Sequence, residues 1–222
     1  MLWTYFFGVL FVSVSFAQLS DDQRKLVLQL HNQIRSDVAR GLALNKNDSA
    51  LPTGSNIFRL TYSRLVEKLA VAKAKTCEFK HTYVNNTCNN LYLYAANDVF
   101  QSIEEALKSS TDAWYNELHT KGLPSLFTGQ RNLNHFTELV WHDVLEIGCA
   151  IQNCTTMKGI KKTNENHFTF VVLGTSLTTT FTKKVLHVAI AVNTKSPSVT
   201  NPLDCVSSKI SRIYTIDCIQ SF

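Results

Sequence analysis

Two hydrophobic periods divide this chain. Up to about residue 140, apolar side chains recur three and four positions apart; beyond it, branched and aromatic residues run in short alternating blocks. Periods of 3.6 and 2.0 belong to helices and strands respectively, so helices come first and strands later. That order points to an α+β fold in which helices cover a small antiparallel sheet.

The element boundaries follow from local signals. Ser20 and Gln23 form a capping box, and Leu26, Leu30, Ile34 and Val38 keep helical spacing until Gly41 closes the first helix. The segment "ALNKNDSALPTGSN" has no period and reads as a surface loop. A second helix is expected from about Ser63 to Lys80, with Leu65, Leu69, Ala72 and Thr76 on one stripe and the small residues Ala70, Ala74 and Cys77 beside it. Ser102 and Glu105 open a third helix whose buried side carries Ile103, Leu107, Trp114 and Leu118, and a short fourth helix begins near Asn134. Strands are expected at "EIGCAIQ", "HFTFVVLG" and "KVLHVAIAV".

Residues 1–17, an uncharged apolar run ending in Ser15-Phe16-Ala17, have the pattern of a cleaved signal peptide. The run is shorter than the ~20 residues that span a bilayer, and nothing downstream matches it, so a secreted, extracellular product without a transmembrane segment is expected. Six cysteines, Cys77, Cys88, Cys149, Cys154, Cys205 and Cys218, then read as disulfide partners rather than metal thiolates, with about fifteen pairings open. In that compartment the sequons at Asn47, Asn85 and Asn153 become glycosylation candidates. Residues 18–195 make one domain, and residues 196–222, with two prolines and two cysteines, a stapled tail. The net charge of +5 comes from scattered short lysine pairs such as Lys161-Lys162 and Lys183-Lys184, without interleaved aromatics; this argues against nucleic acid and leaves only a weak attraction to anionic membranes or glycans.

Several fragments in order, "HNQIRS", "AKTCEFKH", "NNLYLY", "DAWYNEL" and "NHFTELVW" followed by "IGCA", resemble the CAP superfamily of cysteine-rich secretory proteins, antigen 5 and plant pathogenesis-related proteins. The "ARG" after the first helix and the "DAWYNEL" region look most like the venom-allergen-like or activation-associated secreted proteins of parasitic nematodes. The resemblance implies a three-layer α-β-α sandwich whose cleft holds two histidines and two acids. Position by position, His81 and His135 match the histidines and Glu117 one acid, while Asn89, in "CNNL", stands where the family has the glutamate of "GENL". The usual "CNY" signature is replaced by "VVLGTS", so the family disulfide pattern cannot be copied whole.

What such a cleft would do follows from the residue types. Neutral imidazole is the commonest ligand for a divalent transition metal, so His81 and His135 are the expected ligands of a weakly held Zn²⁺, with Glu117 a third ligand or an orienting acceptor. Asn89 offers a carbonyl oxygen but no carboxylate. The alternative role for each histidine is a buried hydrogen bond, and His31, His119, His142, His167 and His187 are assigned to it. The stretch Leu91 to Phe100 falls where the family is thought to have a mobile sterol-binding loop, and Tyr92, Tyr94 and Phe100 would line it. The resemblance therefore implies a sterol- or fatty-acid-binding protein with a host-modulating role, against two alternatives: an effector binding a host receptor or matrix through its outer surface, and a metal-dependent hydrolase. No "GxSxG" elbow supports the hydrolase, and the lost acid at 89 removes one of its two carboxylates.

Overall fold

A computed structural model describes residues 18–54, 57–84, 86–123, 133–161 and 164–177. In chain order the elements are α1 (Asp21–Ala39), a 3-10 turn (Lys46–Asp48), β1 (Thr61–Tyr62), α2 (Arg64–Ala74), β2 (Thr87–Ala96), α3 (Ile103–Lys121), α4 (Asn134–Leu139), β3 (Val144–Cys154) and β4 (His167–Leu177). The expected signal peptide, the strand at "KVLHVAIAV", the domain end at 195 and the tail lie outside the described residues. Among the described residues no helix is long and apolar enough to cross a membrane.

The four strands form one sheet in the order β1-β3-β4-β2. The sheet is mixed rather than purely antiparallel, because the two-residue β1 pairs parallel to β3 while β4 pairs antiparallel with both β3 and β2. Alternation along β4 separates two cores: Val171 and Leu173 face α1, α3 and α4, whereas Phe168, Phe170 and Val172 face α2. Helices on both faces give the α-β-α sandwich.

Both predicted capping boxes are present, at Ser20 with Gln23 and at Ser102 with Glu105. Small residues let α2 approach the sheet closely: a Cβ on Gly148 would lie 2.1 Å from the Glu67 amide nitrogen. Beside that contact, Arg24 donates from Nε and Nη2 to the two oxygens of Glu67, each at 2.7 Å, joining α1 to α2 in a buried ion pair.

Two expected boundaries are corrected. Helix α2 stops at Ala74, not Lys80, because Cys77 takes a left-handed backbone (φ 44°) and is bonded to Cys154 at the end of β3. The segment that follows becomes a strap along the sheet edge, where the Phe79 amide donates to Lys158 O and the Lys158 amide to Cys77 O. The stretch expected as a mobile loop is strand β2 as far as Ala96, with Leu91 and Leu93 in the α2-side core and Tyr92 on the other face. Cys88 is also disulfide-bonded, and Cys149 is a free, buried thiol that burial pushes up to about 12.

Candidate functional site

Three elements distant in sequence bring His81, Glu117 and His135 together. His81 sits on the strap four residues beyond the Cys77–Cys154 cross-link. Its Nδ1 is 2.8 Å from the backbone oxygen of Asn89 at the start of β2. A carbonyl only accepts, so Nδ1 carries the proton and, in the neutral ring, Nε2 carries the lone pair. The Asn89 side chain ties down the strap beside the imidazole: its amide donates to Thr82 O and Thr82 Oγ1, each at 2.8 Å. Position 89 thus fixes the strap's path, using donors that a glutamate would not have.

Glu117 projects from the last turns of α3 and is the centre of the arrangement. Its Oε1 accepts from His135 Nδ1 at 3.0 Å and from Lys121 Nζ at 2.8 Å, while Oε2 accepts from the Phe136 amide at 3.0 Å. Burial alone would raise this carboxyl; the donors from His135, Lys121 and Phe136 outweigh it and hold it below the usual carboxylate range. The same acceptor sets the His135 tautomer, again leaving the lone pair on Nε2.

His135 belongs to α4, a helix too short to stand alone. No side chain caps its N-terminus. It is held from outside instead: Glu117 takes the Phe136 amide, Asn90 donates to His135 O at 3.0 Å, and buried Arg35 of α1 donates to Leu139 O at 2.9 Å and Trp141 O at 2.8 Å. The Trp114 ring stacks near His135, with centroids 6.4 Å apart and planes at 23°, and its own Nε1 donates to Leu91 O.

The two imidazole centroids are 5.9 Å apart. Burial holds His81 below the usual histidine range, partly countered by its bond to Asn89, with His135 and Lys73 adding to the depression. A neutral ring with a free Nε2 is the form that ligates a metal. Among the described residues, however, no group of three or more His, Cys, Asp or Glu side chains is gathered to hold an ion. Glu117 acts here as the acceptor that orients His135.

One acid near the site was not singled out from the sequence. Glu138, one helical turn from His135, accepts from Thr175 Oγ1 at 2.6 Å, and burial pushes it up to about 7, with the Thr175 bond and His135 opposing the rise. The i, i+3 spacing from His135 was the available signal.

The other predicted positions are dispersed. Tyr94, 36% exposed, lies five residues along β2 from Asn89, about 17 Å at strand rise. Tyr92 is half-buried against the core, and Phe100 meets His167 edge-on at 4.7 Å. Asn47 and Asn153 are exposed, although Asn153 directly precedes the bonded Cys154; Asn85 lies outside the described residues. His31 is buried with Nδ1 on Val27 O and is pushed down to about 4 by burial, a structural histidine as expected.

The model of the cysteine-rich secretory protein family, CAP, matches residues 28–173. The chain belongs to the CAP family. Among relatives of this CAP domain, Venom allergen 5 of Microctonus hyperodae is 26% identical over 141 residues, covering 60% of each chain. Ancylostoma secreted protein of Ancylostoma caninum is 27% identical over 145 residues, covering 61% of this chain and 34% of that longer one. Thus the matched region spans less than two thirds of either relative. The crystal structure of NaASP2 with Zn²⁺ superposes with a TM-score of 0.61 at 24% identity, covering 71% of this chain and 80% of that one. The fold is therefore shared with nematode secreted proteins.

Proposed function

We propose that this CAP domain is a secreted binding module rather than an enzyme, and that its cleft takes a divalent transition metal weakly through His81 and His135. The observation that carries the reading is the pairing of two imidazoles whose Nδ1 atoms are both engaged by acceptors, so that both Nε2 lone pairs remain for a ligand. Zn²⁺ fits this donor set, with Glu117 orienting His135 from behind; two protein ligands make a weak site. The hydrolase alternative is less well supported because all three strong donors around Glu117 already occupy its oxygens, which leaves it poorly placed as a general base.

The test is calorimetric titration with Zn²⁺ of the wild type and of His81→Ala and His135→Ala. Binding that disappears in both variants supports the site. Equal affinity in all three proteins would remove it.

A second reading, binding of a sterol, fatty acid or other lipid in support of a host-modulating role, is favoured by exposed apolar surface at the far end of β2, where Tyr94 is 36% and Val99 68% exposed. Kinship with venom allergens and with Ancylostoma secreted protein supports secretion and such a role. Lipid analysis of organic extracts and cholesterol competition test it: a protein that carries no lipid and does not compete for cholesterol would instead be a surface-binding effector.

A further inference from the structure

Where the strap meets the end of β3, lysines collect on one rim. Glu78 bridges to Lys158 in parallel register, the Phe79 amide donates to Lys158 O at 2.7 Å, and Gly159 lies against the Phe79 backbone. This places Lys80 two residues past the Glu78–Lys158 bridge, with Lys161 two residues past Gly159, and all three side chains are exposed. Elsewhere on the surface Lys25, Arg40, Arg64 and Lys121 each face a carboxylate within 3.1 Å, and the exposed Lys46, Lys68 and Lys108 stand apart from one another on separate elements. Lys80, Lys158 and Lys161 have no such partner among the described residues. Behind them, Lys73 is 7% exposed, its Nζ makes no hydrogen bond, and the nearest carboxylate, Glu78, is 3.9 Å away.

Among the described residues, four lysines around one glutamate leave this rim with a surplus of positive charge. We propose that this rim binds a sulfated glycan of the extracellular matrix. The apolar side chains of the rim select among polyanions. Phe79, Met157 and Ile160 pack inward against the α2-side core, so these three offer neither a platform for bases nor a wedge to enter a bilayer, and the exposed Tyr83 and Val84 lie three and four residues past Lys80 along the strap. What faces solvent is a row of hydrated point charges, which suits repeated sulfate groups. The rim adjoins His81 but shares no side chain with the imidazole pair, and the proposal does not depend on metal binding.

The test uses a heparin oligosaccharide as probe, with the intact protein and the triple variant Lys80→Gln, Lys158→Gln, Lys161→Gln. The wild type is expected to bind with an affinity that falls steeply as salt rises, and the variant to bind about tenfold or more weakly with a shallower salt dependence. Desulfated heparin should not bind. Circular dichroism and mapping of the Cys77–Cys154 bond check that the variant folds, and Lys108→Gln with Lys46→Gln serves as a control of equal kind away from the rim. No wild-type binding near physiological salt, an equal loss in the control, or preference for anionic vesicles or single-stranded DNA over heparin would each overturn the proposal.

Discussion

Glu117 and His135 are joined by a 3.0 Å hydrogen bond while the other oxygen of Glu117 holds the amide of the next residue, Phe136. One carboxylate thus fixes both the ring and the start of the helix that carries it. Glu117→Gln replaces an acceptor with an amide that must present an N–H to one of these donors. The variant is expected to lose about 1–3 kcal/mol in urea unfolding. It should also bind Zn²⁺ about 10–100-fold more weakly by calorimetry. Unchanged affinity together with reduced stability would confine Glu117 to a purely structural role.

Glu138 gives the domain a pH dependence of definite sign. Its folded value, raised from 4.5 to about 7, favours the protonated native state. The resulting stabilisation is complete below about pH 4.5 and is lost as pH rises through about 7, an effect on the order of 3 kcal/mol. Glu138→Gln, which cannot ionise, should lose less stability than the wild type between pH 5 and pH 8. Parallel pH curves for the two proteins would refute this.

Gly148 allows α2 to rest on the sheet, and an added methyl would strike the Glu67 backbone rather than a side chain that can turn away. Gly148→Ala is expected to cost about 3 kcal/mol, read as a lowered unfolding midpoint. A stability within experimental error of wild type would show that α2 can lift from the sheet without penalty.

Arg35 donates to the carbonyls of Phe58, Leu139 and Trp141 from a position 2% exposed. Arg35→Met keeps much of the volume and removes every donor, so the variant should be destabilised by about 3–5 kcal/mol, with amide exchange accelerated first in α4. Exchange that quickens evenly across the molecule would argue against a local role.

Where local chemistry decides the structure, the sequence was legible. The caps at Ser20 and Ser102 and the helical spacing of Leu107, Trp114 and Leu118 are read over a few residues, and α1 and α3 start where they predict. The end of α2 was not legible, since Cys77 leaves the helix in concert with Cys154, 77 residues away. Leu91, Tyr92, Leu93 and Tyr94 alternate as a strand should, yet the family resemblance suggested a loop there; pairing with Phe168 to Val172 shows that the alternation was the better guide. Parallel pairing of Thr61 and Tyr62 with β3 has no two-residue signature. At the site, motif order brought out His81, Glu117 and His135, whereas the turning of Asn89 toward Thr82 and the bond from Thr175 to Glu138 depend on neighbours that meet only in three dimensions.

Helix α4 has no capping side chain of its own at its N-terminus and takes its anchors from α1, β2 and α3. A partly folded chain therefore lacks a correctly aimed second imidazole, however much of its secondary structure has formed. On the reading proposed above, capture of an ion by the cleft would report completed tertiary assembly rather than the mere presence of helices and strands.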